Sequence, residues 1–182
     1  MGMFNAYQVA DEMMKDKMKE RGMYDNYKDI NNADIVIIRG KYDHIENVFS
    51  GNNMKFSCVD SYQLSSAQLN KDQILFVNCP GNFERSSLKK IHDFVEEGGF
   101  LFTTDWALKN IIETTFPGFI EYNNKPTGDE VVRVEVLAEN DKFLATLLSD
   151  KDNPEWWLEG SSYPIRVLDK DNVNILVKSN QI

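Results

Sequence analysis

The sequence predicts an α/β fold of three-layer, flavodoxin-like type: a mostly parallel sheet with helices on both faces, followed by late antiparallel strands. Three observations predict it. Ala33-Asp34-Ile35-Val36-Ile37-Ile38 ends in a continuous β-branched run, which suits a strand buried on both faces. Gln73 to Trp106 reads as a β-α-β unit, with one apolar strand ending Val77-Asn78-Cys79-Pro80-Gly81-Asn82 and a second, Phe100 to Thr104, running into Asp105-Trp106. Strands and helices alternate along the first two thirds of the chain, which implies right-handed crossovers and parallel pairing.

The elements follow in order. Phe4 to Arg21 has Phe4, Tyr7, Met14 and Met18 near helical spacing, with Gly22 as a stop. Its methionines, Met13, Met14, Met18 and Met23, suit either packing on the chain's own domain or an adaptable partner surface. Residues 1–32 are thus a helix and lead-in, and 33–182 an α/β domain. A short helix is expected over Asp43 to Phe49, a second strand over Lys55 to Val59, and turn signals at Ser65-Ser66. The next helix has Ser86-Ser87 as its cap, Leu88, Ile91, His92 and Val95 on one face, and Gly98-Gly99 as its end. Ala107 to Thr115 is a helix stopped by Pro117-Gly118.

Beyond residue 122 the pattern changes. An exposed loop at Asn123 to Asp129 precedes an alternating strand, Val131 to Leu137, then a short helix over Phe143 to Leu148. Ile165 to Leu168 and Val173 to Lys178 read as closing strands, either extending the sheet antiparallel or forming a separate flap. The end at Ile182 is abrupt for a domain, which suits either a piece of something longer or a last strand that simply lies here. No repeat or low-complexity linker interrupts the chain.

Composition narrows the function. With a net charge of -9 and 42% hydrophobic residues, the chain is an acidic globular protein, without the clustered Lys and Arg that nucleic acid or an anionic membrane requires. Two cysteines, Cys58 and Cys79, form no disulfide framework and no metal-ligand spacing, so a reduced, cytoplasmic protein is expected. No apolar run approaches the ~20 residues of a membrane span. The N-terminus lacks a signal-peptide core, and Ala6 stands where myristoylation wants Ser or Thr.

Open α/β sheets place ligands at the carboxyl ends of their strands. The loops expected there are Gly40-Lys41-Tyr42, Asp60-Ser61-Tyr62, Cys79-Pro80-Gly81-Asn82 and Thr104-Asp105-Trp106. They lack the acidic pair of a receiver domain, and Gly40-Lys41 alone is too little for a phosphate-binding turn, so no cofactor is expected. Asp60 and Asp105 without a histidine cluster are a thin ligand set, and no metal site is expected.

The order strand, Pro80-Gly81, helix, Gly98-Gly99, strand and sharp turn resembles the class I glutamine amidotransferase-like superfamily over about Ala33 to Val177. The segment Pro154 to Gly160 with Tyr163-Pro164-Ile165 is similar to bacterial domains of that kind. In its catalytic members a cysteine occupies the elbow and a histidine follows. Here the elbow carries Asp105, and both histidines, His44 and His92, precede it. The resemblance therefore implies a noncatalytic branch, a module that binds a protein partner or a small ligand.

The alternative is a hydrolase. Asp105 beside Trp106 resembles the nucleophile pairing of haloalkane dehalogenases, which also need a downstream histidine. Against this, Asp105 can simply cap the helix that follows. Cys79 is a lesser nucleophile candidate, set against a buried structural thiol. Gly40, Tyr42, Pro80, Gly81, Asn82 and Trp106 are the expected ligand-binding residues, with Asn82 or Tyr42 orienting substrate. His92 is expected to pack in the core. Of Trp156 and Trp157, one is expected in the core and the other exposed, as a sugar-stacking or partner surface.

Overall fold

The computed structural model describes residues 35–138 except Asn53, residues 154–182, and Asp141, Leu144 and a few positions between 9 and 20. Among those few, Val9, Glu12, Met13, Asp16, Lys19 and Glu20 are helical and exposed. The expected faces of the Phe4 to Arg21 helix, Met14, Met18 and Met23, and nearly all of the Phe143 to Leu148 helix lie outside the described residues. The chain divides into two compact units, Met1–Phe116 and Pro117–Ile182. Among the described residues no helix is long and apolar enough to cross a membrane.

The first unit is built on four parallel strands: β1 (Ile35–Ile38), β2 (Ser57–Val59), β3 (Ile74–Val77) and β4 (Phe100–Thr103), in the order β2-β1-β3-β4. β1 lies between two partners, with Ile37 opposite Cys58 on one side and Phe76 on the other. That position explains why all four of its residues are buried. The crossover elements are α1 (Ile45–Gly51) and α2 (Arg85–Glu96). After β4 a π-helical turn, Leu108–Ile112, continues into the short α3 (Glu113–Thr115).

On one sheet face Val36, Ile38, Leu75 and Val77 form a core with Ile91 and Phe94 of α2 and with Ala107 and Ile111. On the other, Phe49 of α1 meets Phe76 edge-on at 5.0 Å, and Phe76 meets Phe102 at 5.2 Å. Phe100 and Phe102 keep more than two fifths of their surface exposed, because β4 is an edge strand.

Two details of α2 differ from expectation. The helix begins at Arg85 with Glu84 before it, and Ser87 is 2% exposed inside the helix, so the serine pair is not the cap. The buried stripe is Ser87, Ile91 and Phe94, with Leu88 and Val95 half-buried beside it. His92 thereby falls on the outer side and is exposed, its ring stacked on Phe116 at 5.8 Å rather than packed in the core.

The second unit is made of antiparallel strand pairs. β5 (Ile120–Tyr122) pairs with β9 (Ile165–Val167), β6 (Glu130–Arg133) with β8 (Glu155–Leu158), and β7 (Glu135–Val136) with β10 (Val177–Lys178). These pairs do not extend the parallel sheet, which leaves the separate arrangement of the two that the sequence allowed. β5 and β8 were not expected as strands. β8 also revises the tryptophans: Trp156 is 40% and Trp157 67% exposed, so neither is a core residue. Trp156 shares its face with its cross-strand partner Val132, which is 2% exposed, and Trp157 shares the opposite, open face with Val131.

Candidate functional site

Because β1 to β4 run parallel, their carboxyl ends share one edge, and the order reverses between β1 and β3, where open sheets form a crevice. The loops are brought together there by backbone geometry. The amide of Lys41 donates to the carbonyl of Cys79 at 2.9 Å, and that of Tyr42 reaches the same oxygen at 3.4 Å. This approach is possible only without a side chain at Gly40. A Cβ there would stand 2.3 Å from the Cys79 carbonyl oxygen and 2.5 Å from Asn78 Cβ.

The Cys79-Pro80 peptide is cis, and Gly81 follows with φ +66° against Ala107 and Ile111. Asn110 fastens this turn by donating its side-chain amide to the Pro80 carbonyl at 2.6 Å. Cys79 is buried at 2% exposure, while Asn82 is exposed.

The fourth strand ends in an elbow. Thr104 donates its amide to Val77, and Asp105 turns the chain with φ +39°, a left-handed conformation that a non-glycine residue adopts only at some energetic cost. In the turn that follows, the Ala107 amide donates to the Thr104 carbonyl at 3.1 Å and the Leu108 amide to the Asp105 carbonyl at 2.9 Å. Asp105 and Trp106 are both half-buried. Trp106 meets Tyr42 edge-on at 5.2 Å, which joins the β1 and β4 loops by an aromatic pair.

Three polar groups that the sequence reading passed over complete the edge. Asp43 accepts a short hydrogen bond from the Thr104 hydroxyl, and the Cys79 amide donates to Thr104 Oγ1 at 3.0 Å. Asn78, 1% exposed, donates its side-chain amide to Glu46 at 2.9 Å and accepts from the Ile45 amide at 3.3 Å. The other oxygen of Glu46 lies 3.2 Å from His44 Nδ1. No local pattern announces these contacts, since Asp43 and Thr104 are 61 residues apart.

The structure thus brings Gly40, Tyr42, Cys79, Pro80, Gly81, Asp105 and Trp106 into one neighbourhood. The outer thiol, Cys58 on β2, is pushed up chiefly by burial, against a pull from Arg39, with the carboxylates of Glu46 and Asp60 adding to the rise. It is a protonated thiol rather than a nucleophile. One metal-capable cluster occurs among the described residues, His92, Asp93 and Glu96 on the outer side of α2, away from this edge. Its Asp93 is already held by the ammonium of Lys89 at 2.5 Å.

Two open clefts also lie elsewhere. One of about 750 Å³ lies in the second unit, lined by residues such as Leu137, Val167 and Leu176. Another of about 560 Å³ lies between Ala67–Leu69 and α2. The second is lined by charged residues of α2, Lys89, Lys90 and Asp93 among them, and size alone does not make a binding site. No protein-family model matches the chain, and no curated protein matches it.

Proposed function

We propose that the carboxyl edge of the parallel sheet is a small-ligand site on a noncatalytic, amidotransferase-like scaffold, with Asp105 in the place where the catalytic members carry cysteine. The observation that carries this reading is the elbow itself. Asp105 stands at a sharp strand-to-helix turn with positive φ, and such strain persists where the surrounding structure has a use for it. The strand order β2-β1-β3-β4 supports the three-layer, flavodoxin-like arrangement, whose ligands bind at the β1/β3 switch point. Tyr42, Trp106, Gly40 and the Pro80-Gly81-Asn82 turn surround that point. A reduced cytoplasmic setting accords with two unbridged cysteines.

A second reading, a hydrolase with Asp105 or less favourably Cys79 as nucleophile, draws on the same elbow, since nucleophiles are presented by strained turns of this kind. Two measurements separate the readings. Purified protein assayed with glutamine, simple amides and p-nitrophenyl acetate is expected to give no turnover above a heat-denatured control. Turnover abolished by Asp105→Asn or Cys79→Ser would establish the hydrolase instead. If the strained turn is kept for function, Asp105→Gly leaves stability unchanged or raises it by up to about 1 kcal/mol. A clear loss would mean that Asp105 is there to hold the helix.

A further inference from the structure

We infer that His44 is the hydrogen-bond acceptor of the carboxyl edge, its ring held with Nε2 unprotonated by Glu46 and, through Glu46, by buried Asn78. The inference rests on the ligand site proposed above and names the chemistry that site recognises: a small molecule offering a hydroxyl or an amide N–H.

The chain of contacts runs from the core outward. Asn78 follows β3 directly and is 1% exposed, so its amide must be satisfied by protein groups. It is satisfied on both sides, accepting from the Ile45 amide at 3.3 Å and donating to Glu46 Oε2 at 2.9 Å. That bond fixes the Glu46 carboxylate, whose side chain is only 17% exposed, and leaves Oε1 facing His44 Nδ1 at 3.2 Å. An ionised carboxylate only accepts hydrogen bonds, so Nδ1 carries the proton. In the neutral ring the lone pair is then on Nε2.

The imidazole is reachable, with its side chain 52% exposed. The residues before His44, and Ile45 between it and Glu46, tie this segment to the edge. Asp43 is hydrogen-bonded to Thr104, the chain neighbour of Asp105, and the amide of Tyr42 approaches the Cys79 carbonyl. The role is that of a hydrogen-bond acceptor for a bound ligand, which requires no place in a catalytic order of residues. His92 makes the contrast. Its Nδ1 lies at 3.5 Å and 3.7 Å from Asp93 and Glu96, both well exposed, and no buried group anchors them.

The test uses the whole chain labelled with ¹⁵N. Long-range proton-nitrogen correlation above the imidazole's titration range is expected to find His44 as the tautomer with a proton on Nδ1 and none on Nε2. Glu46→Gln, whose amide can donate, should shift His44 towards the other tautomer and leave His92 unchanged. Diethyl pyrocarbonate supplies a chemical readout by peptide mapping. The Nε2 lone pair bonds to a carbonyl carbon, the C–O bond to the leaving ethyl carbonate breaks, and that anion takes a proton and decomposes to ethanol and carbon dioxide.

His44 should be acylated several-fold faster in the wild type than in Glu46→Gln, with the His92 rate as internal control. A proton found on Nε2 in the wild type, or equal His44 rates in the two proteins, would overturn the assignment. The tautomer in the wild type decides the question even if Glu46→Gln fails to fold. The Asp105→Gly result is read separately, so a failed His44 assignment and a failed ligand site give different patterns.

Discussion

The two units spend apolar residues in opposite ways. In β1, Ile35 to Ile38 are all buried, whereas in β8 the two adjacent tryptophans are both exposed. Hydrophobicity does not explain the difference, since Trp is as able as Ile to fill a core. Pairing does. β1 has a strand on each side and packing on both faces, while β8 is paired with β6 in a two-stranded ribbon. What this teaches is where precision is available. The candidate site is mounted on the ends of strands that cannot move without disturbing a core, as a binding geometry requires. The ribbon instead offers Trp157 beside its cross-strand neighbour Val131, both more than half exposed, the character of a contact surface.

The most direct way to break that comparison is to truncate both strands. Ile37 is 0% exposed, and Ile37→Ala should cost about 2–5 kcal/mol in denaturant melts through lost burial and a cavity. Trp157→Ala, at 67% exposure, should stay within about 1 kcal/mol, although it removes far more surface. Equal destabilisation by the two would mean that the ribbon is a core element and its tryptophan no contact residue.

Glycines sharpen the same contrast. Gly40→Ala places a methyl against backbone and Cβ atoms closer than 3 Å, so the β1 and β3 loops must separate, at a cost of about 1–3 kcal/mol. Gly128→Ala in the second unit meets nothing within 4 Å and should be close to neutral. Thermal melts of the two variants decide this. A neutral Gly40→Ala would show that the loops at the candidate site are not held as tightly as their contacts imply.

Legibility followed the strength of the local signal, and strands at Glu130–Arg133 and Ile165–Val167 of the second unit were expected as well. β1 could be read because a strand buried on both faces leaves a continuous β-branched run, and the elbow at Asp105 because a strand, a sharp turn and a helix leave successive local signals. β5 and β8 could not. Ile120–Tyr122 is three residues long and Glu155–Leu158 follows Asn153-Pro154, and each becomes a strand only through a partner far away in sequence. The face of α2 was misjudged by one position. The buried stripe runs through Ser87, Ile91 and Phe94, and a serine carries no hydropathy signal that would mark it as its first member. Asp43, Thr104, His44 and Glu46 carried no motif, because their relation exists only once the crossovers have folded.

The smallest expected effect concerns charge on α2. Lys89 and Asp93 lie one helical turn apart with 2.5 Å between Nζ and Oδ2. The hydrogen bond from Lys89, helped by its charge and by His92, holds the Asp93 carboxyl below its ordinary range, and the same bond pushes the Lys89 ammonium up. A lowered carboxyl favours the fold above the value it has in the unfolded chain, and that contribution is lost as pH falls through the folded value. The raised ammonium contributes below its unfolded value and loses that contribution as pH rises through the folded one. Both are in force together at neutral pH. Asp93→Asn should therefore lower the melting temperature slightly near pH 7, with the gap closing on acidification and shrinking in about 1 M salt, because both groups are screened by solvent. The gap made by Ile37→Ala should persist under both conditions, since removing apolar contact does not depend on ionisation. A gap for Asp93→Asn that survived acid and salt would show that this carboxylate supports the helix by more than its charge.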